Sequence, residues 1–285
     1  TSARAQVDRD PLAPRVDERV ELLSIAYTLA RGKSVASPNP RYASAIRDHF
    51  RRHAGHPFIA YLKRLSDSAA TAGGDLGSWE LPSLALHLGP PPRFEPLVAS
   101  ADSALADGWD DRTLLTPAFL SLLRQFWADA ACEAFFAAQR PYYARVAEAY
   151  ARHGIPVDDG WVRRFVALSP TERYRAVVGL HGLGLGDYIR VNFPENRRDT
   201  YTIVGDSLFD AMGLPRQPAS PMIARSSLHE YIHAFTNQLV DRNLRSLQQP
   251  AATMLAQPRV TARVKDTFYG NWQFLMYESL VRAVS

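Results

Sequence analysis

The residues best suited to do chemistry lie together in His229-Glu230-Tyr231-Ile232-His233. On an α-helix, residues four apart share a face one turn apart. His229 and His233 can therefore aim both imidazoles at one metal ion, with Glu230 beside them on the edge of that face. Two neutral nitrogen ligands, an open position for water and a carboxylate to take its proton are the parts of a metal-assisted hydrolysis.

A pentapeptide of this kind also arises by accident, so the element that carries it matters. Leu228, Ile232, Phe235 and Leu239 recur at intervals of 4, 3 and 4, which predicts a helix with one apolar stripe. Pro221 suits the first turn of that helix, and Ser220 before it suits a cap. The two histidines then stand next to the buried face.

A catalytic zinc site takes a third protein ligand. Residues 236 and 239 are Thr and Leu, so the longer His-Glu-x-x-His-x-x-Gly-x-x-His pattern is absent, and no His follows His233. The remaining acids are Asp241, Asp266 and Glu278. Asp241 is two turns on and about 80° off the direction of His233 on a straight helix. Asp266 sits where a helix start would use it as a cap. Glu278 is set among Phe274, Leu275 and Val281, where a lone carboxylate is costly to bury and wants a cation. Two cations are open to it: Arg282, one turn on, or a metal.

The rest of the chain sets the frame. Its 285 residues can bury a substantial core, and 46% hydrophobic with 22% charged residues is ordinary for a globular protein. The net charge is +4, but the 33 basic residues are scattered among acids and alternate with no aromatic run, which argues against a nucleic-acid face. No run of 18 or more apolar residues predicts a membrane span. Cys132 is the one cysteine, so no disulfide forms within the chain, and its Ala/Phe-rich setting predicts a small core residue. The chain opens on Thr1 without Met, which suggests a cleaved precursor or a trimmed piece and slightly favours export over the cytoplasm.

Periodicity predicts helices over 16–31, 41–54, 57–70 and 79–88, one from Pro117 through Ala138, another from Pro141 to His153, and one near 159–168. Residues 72–75 read as a loop. The composition then shifts. Stretches 173–180, 187–193 and 200–204 predict short strands, the last two a hairpin. The run Gly182-Leu183-Gly184-Leu185-Gly186 predicts a turn, since no helix follows it to cradle a phosphate. The expected fold class is α+β and predominantly helical. A mainly helical region, 1–168, precedes a zincin-like metal-binding region, 169–285, with the small sheet, the motif helix and a terminal helix carrying Glu278; the two can also form one continuous domain.

Val16–Leu23, His229–Asn237 and Glu278–Ala283 together resemble a bacterial family of uncharacterised, predicted gluzincins, the zinc metallopeptidases whose His-Glu-x-x-His helix is completed by a Glu on a later helix. The resemblance covers most of the chain, with its specificity in the motif. It implies one Zn2+ per chain held by His229, His233 and Glu278, with Glu230 as general base. It implies a peptide or protein substrate, and such proteins are often exported. In zinc peptidases a small sheet precedes the motif helix, and its edge strand pairs with an extended substrate. Tyr269, Tyr277 and His181 are the candidates for steadying an oxyanion. The competing expectation is a helical binding or scaffold protein with a structural or degenerate metal site.

Overall fold

A computed structural model of the protein describes residues 13–32, 39–71, 76–77, 80–98, 114–152, 164, 171–181, 187–205, 209–216, 220–264 and 271–284. Helices fill most of this, with one small three-stranded sheet: the fold is α+β. The expected loop at 72–75, the helix near 159–168 apart from Arg164, the Gly182–Gly186 turn, Asp266 and Tyr269 lie outside the described residues.

The first helices start and stop where short polar side chains and glycine dictate. In α1 (Glu18–Arg31), Asp17 accepts from the Arg19 N–H at 3.0 Å, and Gly32 at φ 61° closes the C-terminus. α2 (Pro40–Phe50) begins at Pro40 with Asn39 as its cap, and runs into a 3-10 turn over Arg51–His53. α3 (Pro57–Thr71) and α4 (Glu80–Leu86) both pack on α1. Burial extends around most of α1, where Leu22, Ile25 and Ala26 join Val20, Leu23 and Ala30.

α5 (Pro117–Asp129) is capped by Thr116, and α6 spans Cys132–Arg152. The expected break at Pro141 is absent: Pro141 lies inside α6, and the chain turns instead at Ala131, φ 48°. The proline ring fits helical φ and forfeits one hydrogen bond. Burial of Tyr142, Tyr143, Val146 and Tyr150 beyond it outweighs that loss. Phe50 stacks against Phe126 and meets the edge of Phe135 with ring centroids 4.8 Å apart, and Trp127 stacks on Phe136. Cys132 is fully buried among them, as its setting predicts.

The sheet consists of β1 (Glu172–Val178), β2 (Asp187–Asn192) and β3 (Arg198–Val204) in the order β1-β3-β2. β2 and β3 form the expected antiparallel hairpin, from Asp187↔Ile203 to Asn192↔Arg198. β1 joins β3 in parallel, and Arg15 adds one bridge to the outer edge of β1 at Val177.

The remaining helices are α7 (Ser220–Arg242), α8 (Leu244–Leu255), α9 (Pro258–Val264) and α10 (Trp272–Val284). Contacts divide the chain into two compact units, Thr1–Val157 with Ser169–Ser227, and Asp158–Leu168 with Leu228–Ser285. The sheet groups with the N-terminal helices, and the boundary falls within α7. The second unit holds the motif half of α7 and, after it, α8 to α10, with α10 packed on α8. Among the described residues no helix is long and apolar enough to cross a membrane.

Candidate metal centre

Pro221 falls in the first turn of α7, as expected, and the motif lies in its middle. Tyr231, Ile232, Ala234, Phe235 and Val240 are buried; Leu239, expected on the apolar stripe, is half exposed at 50%. An ideal helix returns Leu239 to within about 20° of Leu228, so the period holds and does not account for this exposure; Val240 beside it is buried.

His229 and His233 bring their Nε2 atoms to 3.1 Å of one another. Glu278, from the middle of α10, reaches both: Oε1 lies 3.1 Å from His233 Nε2, and Oε2 lies 3.4 Å from His229 Nε2. The three side chains belong to the same unit. Ligand nitrogens and oxygens about 2.0–2.1 Å from a tetrahedral zinc stand roughly 3.3 Å apart, which is the spacing found here. Among the described residues this is the group of His, Cys, Asp and Glu that could hold a metal ion.

The donor chemistry agrees with the spacing. His233 Nδ1 donates to Asn237 Oδ1 at 3.1 Å, so in the neutral ring the hydrogen is on the far side and Nε2 carries the lone pair. Burial, and then the neighbouring His233, hold the pKa of His229 below its ordinary value despite Glu278, which favours the neutral, metal-binding form. Two imidazole lone pairs and a carboxylate this close repel unless positive charge sits among them. A shared proton serves one pair at a time, whereas a cation serves all three.

Glu278 faces the two histidines on one side and Arg282 on the other. Arg282 lies 3.1 Å from Oε2, but its side chain is 63% exposed, while that of Glu278 is only 19% exposed. A solvated i,i+4 pair is worth at most about 1 kcal/mol, too little to explain a carboxylate turned toward two imidazoles. Asp241 does not face the histidines. Its Oδ1 accepts from Gln273 Nε2 at 2.8 Å and from the Tyr277 hydroxyl, so it ties α7 to α10.

No family model, curated protein or solved structure matches this chain.

Tyr277 is buried on α10, and its hydroxyl accepts from Gln273 Nε2 at 2.5 Å while donating to Asp241. His181 belongs to the other unit, where the Thr28 hydroxyl lies 2.9 Å from its Nε2 and burial pushes its pKa down to about 4. Glu230 is half-buried on α7, next to His229 in the chain. Two contributors escaped the sequence reading. Asn237 had a signal, a polar side chain one turn beyond His233. The Asp241–Tyr277 tie joins residues 36 apart in the chain and had none.

Proposed function

We propose that this chain is a zinc-dependent metallopeptidase of the gluzincin type. The observation that carries the reading is the convergence of His229 Nε2, His233 Nε2 and the Glu278 carboxylate within 3.1–3.4 Å. Two imidazoles and one carboxylate suit zinc, and a three-residue set leaves a position for water, as catalytic sites require. When bound, the ion supplies Lewis acidity, acidifying water toward a pKa of about 7 and polarising a carbonyl.

The protein's own groups have distinct tasks. His229, His233 and Glu278 bind. Glu230 follows His229 directly and precedes His233 by three residues, which puts it at the edge of their face; it takes the proton from the attacking water and passes it to the leaving amine. The 8–20% side-chain exposure of the three ligands leaves them within reach of solvent.

The test compares wild type with Glu230→Gln, both with metal content verified, on a peptide library. Loss of a general base lowers the rate by about 10²–10⁴-fold while leaving metal and fold in place. Equal cleavage by the two proteins would remove Glu230 from the mechanism. Silence of both would leave a scaffold that holds a metal for structure.

A further inference from the structure

The His233 ring is held from behind as well as faced from in front. Asn237 follows it by one turn, so His229, His233 and Asn237 stand at i, i+4 and i+8 along one side of α7. Asn237 is buried, 7% exposed, and its amide oxygen takes the hydrogen of His233 Nδ1 at 3.1 Å. We propose that Asn237 is a positioning residue of the metal centre, acting through His233: it fixes the ring's tautomer and rotation so that the Nε2 lone pair points at the place shared with His229 and Glu278. The inference rests on the metal-holding reading of those three residues.

Its neighbours show that the arrangement is specific to this position. The Thr236 hydroxyl donates to the Ile232 carbonyl at 3.1 Å, and Gln238 Nε2 donates to the Ala234 carbonyl at 2.9 Å. Both turn back on their own helix, as polar side chains do there. The Asn237 amide oxygen reaches a ring. Imidazole rotation about its two side-chain torsions costs little alone, so a ligand nitrogen drifts unless its other nitrogen is anchored. A buried amide makes that anchor without adding a charge to be desolvated. Aspartate would make the same bond at a higher cost of burial, and leucine, of similar size, would make none.

The experiment is zinc affinity of the full chain, measured by competition with a chromophoric chelator, for wild type, Asn237→Leu, Asn237→Asp and Gln238→Ala, with helix content checked by circular dichroism. Removing an anchor of this kind weakens metal binding by about 10–100-fold. The expected result is that loss in Asn237→Leu, affinity within a few-fold of wild type in Asn237→Asp, and no change in Gln238→Ala. Wild-type affinity in Asn237→Leu would overturn the inference, and so would equal losses in the Leu and Asp variants, which would make the residue a packing element. If Asn237→Leu does not fold, Asn237→Ala takes its place under the same criteria. Absence of zinc binding in the wild type would sink the metal reading itself, and the inference with it, before any substitution is compared.

Discussion

Tyr277 donates its hydroxyl hydrogen to the carboxylate of Asp241, fastening the helix that carries Glu278 to the helix that carries both histidines. Gln273, one turn before Tyr277, donates to the same carboxylate oxygen. Glu278 follows Tyr277 directly, so its place opposite the imidazoles depends on this fastening.

Tyr277→Phe removes the hydroxyl and keeps the ring. A hydrogen bond to a charged group contributes about 1.5–3 kcal/mol, so chemical denaturation should show a stability loss near the lower end of that range for this partly buried pair. Zinc affinity should fall with it, because Glu278 loses its support. A variant with unchanged stability and affinity would show that the two helices are held by other contacts.

Elemental analysis of protein purified without chelators should find about one zinc per chain. His229→Ala, His233→Ala and Glu278→Ala should each lose it, while Arg282→Ala should keep it, since a largely exposed ion pair adds little. Zinc retained in Glu278→Ala would leave the pair with Arg282 as the role of Glu278, and loss in Arg282→Ala would make Arg282 a support of the site. Iron in place of zinc would redirect the chemistry toward oxidation.

Stability should respond to pH through a buried pair in the other unit. Burial pushes the Glu21 carboxyl up to about 7, although the Leu180 N–H donates to it at 2.8 Å. The folded state therefore holds a proton that the unfolded chain releases near 4.5, and this contribution fades as pH rises through 7. His181, pushed down to about 4, acts in the opposite sense: its contribution is present above 6.5 and fades as pH falls toward 4. The two nearly cancel between pH 4.5 and 6.5. Glu21→Gln should expose the His181 slope there, a rise of up to about 1.4 kcal/mol per pH unit. Parallel wild-type and variant curves from urea titrations at pH 5, 6, 7 and 8 would contradict this.

Much of this was legible in the sequence because it is local. Apolar period, caps and prolines place α1, α2, α3 and α4 to within a few residues and the start of α5 at Pro117, and alternation places the β2–β3 hairpin. The His pair follows from helix geometry, and Glu278 stands out as a carboxylate on an apolar face. What was not legible depends on partners distant in the chain. Pro141 reads as a helix start, but tertiary burial of Tyr142 and Tyr143 keeps the helix whole, and the actual turn falls in an alanine-rich stretch that carries no breaker. Asp241 reads as a misplaced ligand until Tyr277 and Gln273 arrive from another helix.

The tie between Asp241 and Tyr277 also bears on polymer entropy. A ligand set drawn from residues 233 and 278 closes a loop of 45 residues, and holding the ends of such a loop together costs a free chain about 4 kcal/mol. Asp241 and Tyr277, both nested inside that span, hold nearly the same loop closed with protein atoms alone. An incoming ion would then meet donors already gathered and would spend little of its binding energy on ordering the chain. Metal capture in this protein is accordingly expected to resemble docking into a finished socket, where in a zinc-finger module it is the event that drives folding.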